Sequence, residues 1–131
     1  MARVSAQVVG GVTAGTIGGL FGAAGGQALA EVLPGGPTFW TFVGTVSVHN
    51  AATIWGAAVA SRLVEGRSVR YSEARKGAII GDGALFVYAA VVSPLLSRVG
   101  CDVGSWCGKT FGVAAHLLPA VGASIAIERA R

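Results

Sequence analysis

Apolar and polar positions alternate on a coarse scale along this chain, as four long apolar runs divided by three polar breaks. The first run covers about residues 8–30, and its glycines recur at helical spacing. Gly11, Gly15, Gly18, Gly22 and Gly26 are four, three, four and four residues apart, which at 3.6 residues per turn puts all five on one narrow stripe. In water each interior glycine costs a helix about 1 kcal/mol relative to alanine. In a bilayer the bare backbone instead lets a second helix come close. The pattern predicts a transmembrane helix with a glycine contact surface.

The second run, about 38–61, has no charge and opens on Phe39 and Trp40, residues suited to the membrane–water boundary. Ala52, Gly56 and Ala60 repeat the small-xxx-small spacing, and His49 and Asn50 fall at its centre. The third, about 77–96, starts with Gly77 and Gly81, carries Asp82, and meets Pro94 near its far end. The fourth, about 110–127, contains Gly112, His116, Pro119 and Gly122. Pro34-Gly35-Gly36-Pro37 separates the first two runs, since two prolines and two glycines do not continue a helix. Twenty residues at 1.5 Å each cross a hydrocarbon core of about 30 Å. The expected fold is all-α: an integral membrane protein of four transmembrane helices in a compact glycine-packed bundle with short loops, as a single polytopic domain over 1–131.

Composition strengthens the membrane class. Hydrophobic residues make up 53% of the chain and charged residues 12%, with mean hydropathy +0.65, whereas soluble domains are about a quarter charged. Ala28-Leu29-Ala30 has the small residues of a signal-cleavage site, but the apolar run before it is longer than a signal core, so a first transmembrane helix is expected there. The net charge of +4 does not point to nucleic acid, because the basic residues sit in the breaks with no aromatic-interleaved surface.

Their placement carries topology instead. With both termini on the inner side, that side holds Arg3, the five basic residues of 62–76, Arg129 and Arg131, eight against Arg98 and Lys109 on the other. Basic residues concentrate on the cytoplasmic or equivalent inner side. The expectation is therefore both termini and the 62–76 loop inside, and the 97–109 loop outside. That outer loop carries Cys101 and Cys107. Their spacing permits a disulfide in an oxidising compartment. Two free thiols are the alternative, and a metal site there would lack ligands.

His49, Asn50, Asp82 and His116 are the polar side chains placed inside the spans. Intramembrane ionisable groups are functional candidates by default. Counted from the ends of the apolar runs, Asp82 lies near the inner surface, His116 near the outer and His49 midway. This predicts a staggered series, with three readings: structural hydrogen bonds between helices and Asp82 pairing with Arg62 or Lys76, a proton relay, or ligand contact such as haem ligation by the two histidines. No phosphate loop, carboxylate pair, nucleophile elbow or zinc motif occurs in the sequence. The chain is not expected to be an enzyme, to bind a metal or to need a cofactor.

The span pattern resembles that of the Tim17/Tim22/Tim23 family of mitochondrial protein-import subunits and related accessory subunits of respiratory complex I. The shared features are Gly11-xxx-Gly15, Gly18-xxx-Gly22-xxx-Gly26, and a basic loop over 62–76 leading into Gly77-Ala78-Ile79-Ile80-Gly81. That resemblance implies a role in a translocase or respiratory assembly.

From the residues themselves, the expected function is a small structural or accessory subunit of a larger membrane assembly, such as a complex or a virion envelope. The alternative is a holin-like pore-former or a small ion or proton transporter. The expected partners are the lipid bilayer and other membrane subunits or further copies of the chain, with no nucleic acid. Four short helices cannot use all their glycine faces internally, so some of those faces are expected to meet a partner or another copy of the chain.

Overall fold

The computed structural model describes residues 2–130; Met1 and Arg131, and with Arg131 part of the expected inner positive charge, lie outside them. The described residues form four long helices and no strand. These are α1 (Ala2–Ala30), α2 (Gly36–Glu65), α3 (Tyr71–Ser97) and α4 (Trp106–Arg129).

All four extend beyond the apolar runs. The break expected over 62–76 shrinks to the few residues between Glu65 and Tyr71, so Arg62, Arg75 and Lys76 stand on helices. Long stems explain this: Lys and Arg keep their charges in water while their methylenes continue the apolar face. Gly66 stops α2 with φ +67°, a left-handed turn open to glycine, and its N–H bonds the Arg62 carbonyl. Ser105 caps α4 by accepting from the Gly108 N–H at 3.0 Å.

The two prolines inside helices are accommodated rather than terminal. Upstream of Pro94, residues Tyr88–Val92 widen into a π-turn, in which the Ser93 N–H reaches back to the Tyr88 carbonyl. A wider turn makes room for the proline ring, which would otherwise strike the preceding turn. Before Pro119, α4 is interrupted at Leu117, whose N–H makes a tight bond to the Ala114 carbonyl at 3.1 Å.

Three helices, α1, α3 and α4, are long and apolar enough to cross a membrane. The second expected span is less apolar than the others. α2 is 30 residues long, but Thr41, Thr45, Ser47, His49, Asn50 and Thr53 dilute its apolar character.

α1 and α2 pack along each other, α3 packs on the C-terminal half of α4, and that half of α4 also touches α1 and α2. The buried core is small-sided: Ile54 and Ala57 from α2, Ala74 and Ala78 from α3, and Ala123 and Ile127 from α4. The far half of α3 stands largely free, exposing Phe86, Val87, Val91 and Leu95.

Backbones approach closely where the sequence places its small residues. A Cβ added at Gly22 would fall on the Gly44 carbonyl, and one at Gly26 on the Trp40 carbonyl. At Gly18 it would stand 2.5 Å from Ala52 Cβ, at Gly11 3.0 Å from Ala120 Cβ, and at Gly56 2.6 Å from Ala14 Cβ. Ala60 Cβ would be 2.7 Å from a Cβ at Gly10. At Gly77 and Gly81 the obstacles are the carbonyls of Gly122 and Leu118 on α4. At these positions each glycine lies against another helix of this same chain. Gly25, Gly83 and Gly112, and Gly36 at the first position of α2, are helical glycines with nothing within 4 Å.

Candidate functional site

Asp82 is about 16 Å along α3 from Tyr71, and His116 about 15 Å along α4 from Trp106. The expected stagger is corrected: Asp82 meets Asn50, and His116 shares a cavity with His49, on different sides of α2.

On the α3 side, Asn50 donates to the Asp82 carboxylate. Asp82 therefore pairs with a neutral amide at its own depth and not with Arg62 or Lys76. Beside this bond lies an open groove walled by Val46, Ser47, Ala51, Ile54, Tyr71 and Ile79.

On the other side, His49 and His116 line one cavity of about 290 Å³ between α1, α2 and α4. Thr16, Thr45 and Thr53 also line it, together with the apolar Val12, Leu20 and Ala120. Thr45 donates to the Thr41 carbonyl of its own helix at 2.6 Å. His116 Nδ1 is 2.6 Å from the Gly112 carbonyl, so in the neutral ring this nitrogen carries the proton and donates it. Thr53 is 1% exposed, and its hydroxyl is buried over Gly15 without a hydrogen-bond partner. His49 Nε2 lies close by, 3.3 Å from where a Gly15 Cβ would be.

No known protein family, curated protein or solved structure matches this chain. The likeness to import-translocase subunits is therefore one of span pattern alone, and what the molecule does has to be read from its own geometry.

A third polar cluster was not foreseen. Gln7 is fully buried at the start of α1. Its Nε2 donates to Ser61 Oγ on α2 at 3.3 Å and to Glu128 Oε1 on α4 at 3.0 Å. Ser124 Oγ on α4 donates to Gln7 Oε1 at 2.6 Å. One amide thus joins three helices, next to the Arg3–Glu65 contact at 3.9 Å. The available signal was that Gln7, Ser61 and Ser124 all sit within a few residues of the same end of the bundle.

At the opposite end Cys101 and Cys107 stand at disulfide distance, their Cα atoms 5.3 Å apart. Together with the Ser105 cap they close the loop between α3 and α4.

Proposed function

We propose that the protein is a small structural subunit of a membrane assembly, a four-span bundle held by glycine contacts. The observation carrying this reading is the α1–α2 pair, where successive glycines of one helix lie against the backbone of the other. Without a hydrophobic force between helices in lipid, close van der Waals packing at small residues is what associates them. α2 serves as the fourth span. It matches α1 in length, and several of its polar side chains are withdrawn from its surface: Thr53 and Ser61 are buried, and Asn50 is bonded to Asp82.

The positive charge distribution supports an orientation with both termini and the short loop after α2 on the inner side and the cysteine loop on the outer side. The outer flank of α3, with its exposed large apolar side chains, is the surface offered to neighbouring subunits.

Transport is the second reading, favoured by the cavity that His49 and His116 share. Against it, Asn50 and Asp82 lie on the other side of α2, so the four groups do not line up as one column.

Purification in a mild detergent, with mass spectrometry of whatever accompanies the chain, tests the first reading. Defined membrane partners are expected, and the His49→Phe and Asp82→Asn variants are expected to assemble as the parent does. A chain that purifies alone and drives proton flux in liposomes, lost in either variant, would replace the structural reading with transport.

A further inference from the structure

We propose that the groove between α2 and α3 seats an anionic glycerophospholipid, with Arg75 and Tyr71 on its phosphate and one acyl chain along Ile54 and Ile79. We rest this on the membrane reading above, which requires the groove to open to lipid.

Two kinds of side chain wall this groove of about 310 Å³. Val46, Ala51, Ile54 and Ile79 are apolar, and Ser47 and Asn50 are uncharged. Tyr71 and Arg75 line it as well, and both come from the first two turns of α3, the end of that helix next to the basic loop. An apolar groove between helices with a cation at its interfacial end fits an amphiphile with an acidic head. The Arg75 stem continues the apolar wall while its guanidinium stays at headgroup level.

Charge selects the head. Arg75 is the charged residue of the walls, and Arg62, Arg67, Arg70 and Lys76 surround it in the chain. None of these five has an ion-pair partner among the described residues. The acids at this end are engaged elsewhere: Glu65 lies 3.9 Å from Arg3, Glu128 accepts from Gln7, and Glu73 lines a different pocket together with Arg67. Asp82 is bonded by Asn50 and is not a wall residue. A phosphodiester supplies the missing counter-charge, and a guanidinium donates to two of its oxygens at once. The Tyr71 phenol, about half exposed, offers one donor more. A zwitterionic lipid sets its own ammonium against that phosphate, whereas an anionic lipid leaves it to the protein. Inorganic phosphate would meet the same cations but would leave the apolar walls uncovered.

Photo-labelling of the full chain in phosphatidylcholine nanodiscs, with a phosphatidylglycerol that carries a diazirine in one acyl chain, tests this. Saturable adducts are expected on residues 46–54 and 71–79, competed by unlabelled phosphatidylglycerol and not by inorganic phosphate. A phosphatidylcholine with the same diazirine is expected to label these residues no more than the rest of the lipid-facing surface. Arg75→Gln is expected to weaken the competition about three- to tenfold, the contribution of one basic residue to holding an anionic lipid. Arg129→Gln removes the same charge from an exposed position of α4 outside the groove, and is expected to leave the competition unchanged. Ala51→Trp fills the groove from an exposed position, and is expected to lower the adduct yield with Arg75 still in place.

Equal labelling by the two lipids, displacement by inorganic phosphate, an Arg129→Gln effect as large as that of Arg75→Gln, or parental labelling in Arg75→Gln or Ala51→Trp would overturn the proposal while leaving the membrane bundle intact. A chain that does not insert into nanodiscs would overturn the membrane reading and this proposal together.

Discussion

Gly22→Leu is expected to open the α1–α2 contact and to destabilise the protein by about 3 kcal/mol or more, beyond the usual cost of overpacking. The obstacle at this position is backbone. A Cβ there meets the Gly44 carbonyl oxygen and carbon, with the Val48 Cβ at 3.0 Å. A flexible side chain would rotate away, but a carbonyl inside a helix does not, so the two helices have to separate and every contact along their length weakens. Gly18→Leu acts in the same way against Ala52 and the Val48 carbonyl. Gly19→Leu is the comparison: its Cβ would find the His49 ring at 3.5 Å, an ordinary contact. It is expected to cost at most about a third as much. Thermal unfolding in detergent, followed by circular dichroism, reads the difference.

Gln7→Ala carries the second large effect, at about 3 kcal/mol. The amide is fully buried and makes three bonds to α2 and α4. Its removal leaves Ser61 and Ser124 without this partner, at about 1–3 kcal/mol for an unmet buried group, and adds a cavity. Ser61→Ala removes only the longest of these bonds and is expected to cost under about 1 kcal/mol. A double-mutant cycle of Gln7→Ala with Ser124→Ala is expected to show positive coupling, because the 2.6 Å bond between them disappears with either change. Additive losses in that cycle would mean that the amide acts through volume alone.

What the sequence made legible and what it hid follow from separate physics. Long apolar runs and the Pro34-Gly35-Gly36-Pro37 turn located the helices, because burying backbone in lipid and breaking a helix are both local requirements. Helix ends were not legible, because Arg62, Arg75 and Lys76 are compatible with a helix that carries on into the aqueous layer. The partners of Asp82 and His116, Asn50 and the His49 cavity, were hidden because they are set by how the helices pack across one another.

The glycine stripe of α1 was visible from its spacing. Most of its counterpart on α2 was visible too, as the Ala52, Gly56 and Ala60 repeat, but Gly44, cut off from that repeat by Val48, is recognised only by what it touches. The Gln7 cluster was hidden for the same reason: its members are 54 and 117 residues apart in sequence, and only the packed bundle brings them together.

Cross-linking across the α1–α2 contact tests most directly whether the stripe closes this chain's own bundle. With Cys101 and Cys107 replaced by serine, cysteines are introduced as Gly19→Cys and His49→Cys. These Cβ positions are 3.6 Å apart with no backbone atom in the way, inside the disulfide range of about 3.5–4.5 Å. Oxidation in native membranes is expected to give a cross-link within one chain, a compact monomer on a denaturing gel that reverts on reduction. Cross-linked dimers as the main product, or no cross-link at all, would contradict it.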